Sequence, residues 1–168
     1  MNLTKTIVIG NSGSGKSWLA ERLASQLNAQ WVDLDAIHWE PGGYDVARNR
    51  DDAIALARRA AASDSWVIEG IYGWLVGEVV SNATALVWLC IDEAECVANI
   101  TSRGVRRGGS QQSFDALLSW AGTYRTRSGS SSYSAHEDIF NRFSGAKACL
   151  RSKREVTAFA NLSWLRAL

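Results

Sequence analysis

The sequence predicts an α/β fold: one domain over residues 1–168, built on a five-stranded parallel sheet with helices on both faces. Five short apolar runs recur along the 168 residues with helical patterns between them. Strands buried on both faces read as such near-continuous apolar runs, and parallel pairing needs a helical crossover between them. The third observation is a glycine-rich turn, "GNSGSGKS" at 10–17, that joins the first run to the first helical pattern.

The elements follow in order. Thr6-Ile7-Val8-Ile9 is a β-branched run of strand type, and beyond the glycine turn Leu19, Leu23 and Leu27 recur every fourth residue, as one helix face requires. Trp31 to Leu34 is the second strand. Val46 to Ala62 is rich in alanine and arginine, with Ile54, Ala57 and Ala61 on one helical face. Trp66 to Ile68 and Ala85 to Ile91 give strands three and four. A helix over Asp92 to Arg103 opens with D-x-x-E, a capping arrangement, and after the fifth strand, Ala146 to Leu150, Ser152 and Glu155 open the last helix in the same way. Ser128 to Ser134 is a Gly/Ser-rich hinge or loop tip. The sequence contains no internal repeat.

Gly10 to Ser17 matches G-x-x-x-x-G-K-[ST], the P-loop pattern, in which backbone N–H groups of successive residues wrap phosphate and the lysine reaches the outer phosphates. Strand, glycine loop and helix N-terminus stand in the required order, and the helix start adds unpaired donors and partial positive charge. The spacing therefore predicts nucleotide binding by Gly10, Asn11, Ser12, Gly13, Ser14, Gly15, Lys16, Ser17 and Trp18. Lys16 would bridge the β- and γ-phosphates of ATP, and Ser17 would ligate magnesium.

Composition sets the surroundings. A hydrophobic share of 46% with 21% charged residues is ordinary globular material. No apolar run approaches the roughly 20 residues of a membrane helix, and the N-terminus lacks a basic segment followed by a long apolar stretch, so a cytosolic, membrane-free protein is expected. Cys90, Cys96 and Cys149 lack C-x-x-C spacing and read as free thiols. The net charge of +1 argues against general nucleic-acid binding, yet it is unevenly spread: residues 1–100 hold 7 basic and 13 acidic side chains, residues 101–168 hold 11 and 4. A phosphate-handling protein can use such late cations opposite its loop.

Ligands of open parallel sheets bind at the carboxyl ends of the strands. Strand two ends in Asp33-Leu34-Asp35, followed by His38. With strand alternation the two carboxylates face one side, where they could hold magnesium-bound water or take the proton of an acceptor hydroxyl. Strand three ends in Glu69-Gly70-Ile71-Tyr72-Gly73, a carboxylate beside glycines that allow close ligand approach. Asp92, ending strand four, is either a metal carboxylate or a helix cap. Arg103, Arg106 and Arg107, then Arg125 and Arg127, are clustered beside glycines and suit a flap closing over transferring phosphate.

The series P-loop, "VDLDAIHWEPGG", "WVIEGIYG", "ALVWLCID", "RGVRRG", "YRTR" and "ACLRSKREV" resembles the adenylate-kinase-related P-loop proteins called topology-modulation proteins, over nearly the whole chain. The resemblance implies a sheet of nucleoside-monophosphate-kinase type, ATP on the loop and a LID near residues 103–110. Together with the residue patterns above, this gives as candidate catalytic residues Lys16, Asp35, Arg103, Arg107, Arg125 and Arg127, and as a candidate acceptor site Asp33, Asp35, His38, Glu69, Gly70 and Tyr72. The leading expectation is transfer from ATP to a nucleoside monophosphate. Typical adenylate kinases carry Asp-Gly-Phe-Pro-Arg after strand three; the arginine that grips a monophosphate there is missing here. Asp33-x-Asp35-x-x-His38 also resembles the acceptor segment of gluconate and shikimate kinases, where an aspartate meets a hydroxyl. A nucleotide-dependent regulator or DNA-topology factor without turnover is the third reading. Trp18 stands where most P-loops place a hydroxyl for the α-phosphate; it either fills a gap in the packing or lies beside the nucleotide.

Overall fold

The computed structural model describes residues 1–44, 46–105 and 110–162. Its elements are β1 (Lys5–Gly10), α1 (Lys16–Leu27), β2 (Gln30–Asp33), α2 (Leu34–His38), α3 (Arg50–Ala60), β3 (Trp66–Gly70), α4 (Gly73–Val79), β4 (Ala85–Leu89), α5 (Glu93–Arg103), α6 (Gln111–Gly122), α7 (Tyr133–Arg142), β5 (Ala146–Leu150) and α8 (Lys153–Leu162). All five expected strands are present. The strands pair in the order β2-β3-β1-β4-β5, and every pairing is parallel. β1 lies at the centre, and the chain leaves it towards opposite sides, which opens a crevice at its carboxyl end.

Alternation along the strands divides the core into two. Ile7, Ile9, Trp66, Ile68, Leu86 and Trp88 face one side, where they meet Ala53 and Ala57 of α3, Leu75 and Val76 of α4 and Ile139 of α7. Val8, Val67, Val87 and Leu89 face the other and meet Leu19 and Leu23 of α1, Cys96 of α5 and Val156 of α8. Each fully buried Leu, Ile or Val contributes about 1.5–3 kcal/mol relative to exposure. Among these, the β1 residues Ile7, Val8 and Ile9 have no exposed surface at all.

Local chemistry sets the helix ends. Asn49 caps α3 by accepting from the N–H groups of Asp51 and Asp52, so this helix starts four residues later than its alanine pattern suggested. The skipped residues are used elsewhere: Ala47 bridges Trp39, and Glu40 N–H donates to the Val46 carbonyl. Asp92 accepts from Ala94 N–H and caps α5, which is the cap reading of that residue. Ser152 Oγ accepts from Glu155 N–H while Glu155 accepts from Arg151 N–H, so the expected α8 capping arrangement forms. Ser132, within the Gly/Ser-rich segment, caps α7.

A buried polar chain ties α6 and α7 to the sheet. Trp88 Nε1 donates to Tyr124 Oη at 3.1 Å, Tyr124 Oη lies 2.6 Å from His136 Nδ1, and His136 Nε2 lies 2.9 Å from the Ile71 carbonyl. A carbonyl only accepts, so Nε2 carries the proton and Nδ1 accepts from the tyrosine. The direction of the whole chain is thereby fixed, from β4 to the residue just past β3.

Gly73 marks a second contact between these layers. Its N–H donates to the Ser130 carbonyl at 3.1 Å, and a Cβ at this position would overlap that same carbonyl. Gly73→Ala is expected to lower the unfolding free energy by about 1–3 kcal/mol through overpacking, read as a lower urea midpoint with unchanged slope.

Candidate active site

The glycine loop lies in the central crevice because its backbone touches its neighbours directly. A Cβ on Gly10 would be 2.6 Å from the Leu89 carbonyl, and one on Gly13, whose φ is +78°, would overlap the Cys96 carbonyl. Only residues without a side chain permit that approach. Asn11 is fully buried and locks the turn: Nδ2 donates to Ala121 O of α6 at 2.8 Å, and Oδ1 accepts from Ser12 N–H at 2.8 Å. Asn99 of α5 adds a bond to Gly13 O. Lys16 is buried rather than displayed, its ammonium donating to Asn11 O at 2.9 Å.

These features fit a bound polyphosphate. Ser14 Oγ is buried within the loop without a hydrogen-bond partner, although buried hydroxyls are normally satisfied. The lysine is already held inside the loop, and Ser17 opens α1 at its exposed rim. Among the described residues no group of three or more His, Cys, Asp or Glu side chains could hold a metal ion. The Ser17 hydroxyl, exposed at the start of α1, would suit a magnesium ion, which keeps several of its waters.

Lys16, Asp33 and Asp35 all act on Glu69. Glu69 pairs in register with Val8 on one side and Asp33 on the other, and is 2% exposed. Burial pushes its carboxyl up to about 7; Lys16 and the Ser17 hydroxyl pull the other way, and Asp33 and Asp35 add to the rise. Its Oε1 has no partner. Asp33 and Asp35 are not two positions of one strand, as alternation suggested. β2 stops at Asp33, whose Oδ1 accepts from Asp35 N–H and caps α2, so Asp35 lies in the first turn of a five-residue helix. Both carboxylates still act on Glu69, through this turn rather than through strand alternation.

Beyond α2 the chain forms a narrow return. Arg48 N–H donates to His38 O, and the Arg48 guanidinium donates to Ile37 O and Trp39 O and pairs with Glu40 at 3.2 Å. Asp35, Ala36, Trp39, Glu40, Pro41, Gly42 and Gly43 line a cavity of about 470 Å³. Tyr72 closes the side towards β3: its hydroxyl accepts from Trp39 Nε1 at 2.8 Å and lies beside Asp35, and burial together with Asp35 raises its pKa. His38 packs on Tyr72 with ring centroids 4.2 Å apart. Burial lowers its pKa, which Asp35 partly offsets. Gly70 faces Leu34, where a Cβ would meet the leucine side chain at 2.6 Å, so its role is to seat α2 on β3.

The arginines divide. Arg125 pairs with Glu93, lies over the Tyr133 ring at 4.9 Å, and points Nη2 towards Cys90 Sγ at 3.8 Å. Arg151, part of the "ACLRSKREV" segment but given no role from the sequence, approaches the same sulfur at 3.8 Å. Arg127 stacks on Trp120 at 3.7 Å and donates to the carbonyls of Trp120 and Ser131. Burial lowers its pKa to about 10, and its donors serve the α6–α7 connection. Arg103 ends α5 on the surface. Arg106 and Arg107, with the rest of 106–109 in the expected LID, lie outside the described residues. Arg48, Asn99, Arg151 and the Tyr124–His136 pair were not foreseen, because each acts through a partner distant in sequence. Trp18 does not fill a gap: it is 40% exposed, with the Arg22 guanidinium 4.4 Å from its ring centroid.

The sheet order and the glycine loop at its centre define an α/β fold of P-loop type. No protein-family model matches the chain, and no curated protein matches it. Solved structures do. A gluconokinase from Sinorhizobium meliloti 1021 superposes with a TM-score of 0.58 at 18% identity, covering 99% of this chain and 95% of that one. The YorR protein of Bacillus subtilis, determined in complex with phosphorylated GDP, gives 0.53 at 13% identity and covers 96% and 97%. An uncharacterized protein from Eubacterium ventriosum ATCC 27560 gives 0.52 at 14%, covering 94% of each chain. At these identities the likeness is one of fold. No helix among the described residues is long and apolar enough to cross a membrane.

Two buried groups make opposite demands on pH. Glu69, near 7 in the folded state against an ordinary value of 4.5, holds a proton that the unfolded chain has released, so its contribution to stability falls as pH rises from about 4.5 to 7. His136, lowered to about 4 by burial, refuses a proton that the unfolded chain takes, so its contribution rises with pH between about 4 and 6.5. Each shift corresponds to about 3–4 kcal/mol, at roughly 1.4 per pH unit. The two should largely cancel in the native protein. Glu69→Gln should expose stability that rises with pH between 4 and 6.5, and His136→Gln stability that falls between 4.5 and 7, measured by urea unfolding across that range.

Proposed function

We propose that the protein transfers the γ-phosphoryl group of ATP to a hydroxyl of a small metabolite. The observation that carries this reading is the charge of the cavity. Among its described lining residues are two carboxylates, Asp35 and Glu40, and no lysine or arginine. The nearby Arg48 is engaged with Glu40 and two backbone carbonyls. A monophosphate carries about 1.5 to 2 negative charges near neutrality and would meet Asp35 without a counter-charge, whereas a hydroxyl gains from a carboxylate within hydrogen-bond reach.

In this mechanism the loop N–H groups and Lys16 hold the triphosphate, Lys16 exchanging its bond to Asn11 O for the β- and γ-phosphate oxygens. Asp35, steadied by the Tyr72 hydroxyl, takes the proton of the acceptor hydroxyl as its oxygen bonds to the γ-phosphorus and the bond to ADP breaks. Magnesium held by Ser17 would supply neutralisation of charge on the β- and γ-oxygens. Arg125 stands at the carboxyl end of β4, where it can meet charge on the transferring group; Arg103 and Arg107 would act from the LID. Glu69, poised near neutrality, can accept or donate a hydrogen bond at the junction of the two ligands.

A nucleoside monophosphate is the second reading, favoured by the cluster of edge-on and tilted rings of His38, Trp39, Tyr72 and Trp74, of which Trp39 lines the cavity, since an aromatic face can hold a base. Coupled detection of ADP across sugars, polyols, ring alcohols, sugar acids and nucleoside monophosphates separates the two, and absence of turnover with every acceptor would favour a regulator. With a hydroxyl acceptor, Asp35→Asn should lower kcat about 10²- to 10⁴-fold with little change in acceptor KM. A loss below tenfold that magnesium partly restores would turn the assignment to the monophosphate. Lys16→Ala should reduce ADP formation to background while the far-ultraviolet circular dichroism is retained; unchanged turnover would remove the loop from the reaction.

A further inference from the structure

Trp18 is the first side chain after the phosphate loop. Like Trp120, which is 43% exposed beneath Arg127, it is an exposed indole beside a guanidinium, but Trp18 alone of the two belongs to the helix that the loop opens. Trp18 is 40% exposed in the first turn of α1. One face of its ring is covered by Arg22, one helical turn further on, with the guanidinium carbon 4.4 Å from the ring centroid. Residues at i and i+4 share one helix face, so the arginine holds the indole against α1 while leaving much of it in solvent.

An exposed tryptophan adds little to core stability, and its position relative to the loop is set by chemistry. In the P-loop arrangement the lysine takes the outer phosphates and the loop N–H groups take the inner ones. The α-phosphate therefore lies at the start of α1, where residue 18 would ordinarily offer a hydroxyl. The nucleoside is joined directly to that phosphate, so Trp18 is the first large surface it can meet on leaving the loop. A flat ring backed by a cation suits a base or the apolar face of a ribose.

We infer that Trp18, steadied by Arg22, is a stacking platform for the nucleoside of the phosphate donor, and that it replaces hydroxyl contact to the α-phosphate as the determinant that separates a nucleoside triphosphate from bare polyphosphate. The inference rests on the reading of the loop as a triphosphate site. It gives the protein a donor preference centred on the nucleoside rather than on the inner phosphate.

The test is isothermal calorimetry of the full-length protein with ATP and with inorganic tripolyphosphate, each with magnesium. Tripolyphosphate fills the loop and has no nucleoside. The native protein should bind both, ATP more tightly. Trp18→Ala should weaken ATP about 5- to 100-fold, the range of a lost base–aromatic stack, and leave tripolyphosphate within about twofold; Trp18→Phe should retain most of the ATP affinity. An unchanged ATP affinity in Trp18→Ala, or an equal loss for both ligands, overturns the platform while the loop assignment stands. Failure of the native protein to bind either ligand overturns the loop assignment and the platform with it.

Discussion

The site depends on how closely the loop backbone approaches β4 and α5. Gly10 and Gly13 press against the carbonyls of Leu89 and Cys96 with no room for a methyl group. This contact draws the loop into the crevice at the carboxyl end of β1, the one strand whose neighbours on both sides are central. From there the other parts are positioned in turn. Asn11 reaches Ala121 and so binds the loop to α6, the helix that follows the expected LID segment. Lys16 turns inward onto Asn11 O, and α1 leaves the loop with its donors directed at the phosphate position.

Burying Lys16 in this way determines the electrostatics around it. A buried ammonium is tolerable when a carboxylate stands near, and Glu69 does so from β3, with Asp33 and Asp35 acting on it from β2 and α2. Their crowding has its own consequence, since neighbouring carboxyl groups do not all gain by ionising. The most buried of them, Glu69, resists charge, while Asp33 is held in its role as the α2 cap. Asp35 stands instead at the cavity wall, where the proposed mechanism uses it as the base. The division of labour among three acids thus follows from burial and capping.

The sheet and the loop were legible in the sequence because both rest on local patterns. Apolar runs such as Thr6–Ile9 and Ala85–Leu89 need only period and β-branching to be recognised, and the loop needs fixed spacing. The placement of Asp35 was harder. Period-two alternation put it on the strand with Asp33, but the Asp33 side chain offers Asp35 N–H a hydrogen bond that ends β2 and starts a helix, and such local competition is invisible to periodicity. The arginines were legible as cations but not by role. Arg127 and Arg125 stand two residues apart in one motif, yet Arg127 is fixed by the carbonyls of Trp120 and Ser131 while Arg125 meets Glu93. His136 carried no signal at all, because its partners, Tyr124 and Ile71, are 12 and 65 residues away.

The same buried chain bears on how the two ligand regions communicate. The Ile71 carbonyl that accepts the His136 N–H lies two residues past Glu69 and one before Tyr72, so the acceptor side of the site hangs from it. Tyr124, at the other end of that chain, directly follows α6, whose Ala121 carbonyl holds Asn11 of the loop. One short segment, 121–124, therefore bonds to the glycine loop through Asn11 and to the segment after β3 through His136. The end of α6 thus ties the loop to the stretch of chain that carries Glu69 and Tyr72.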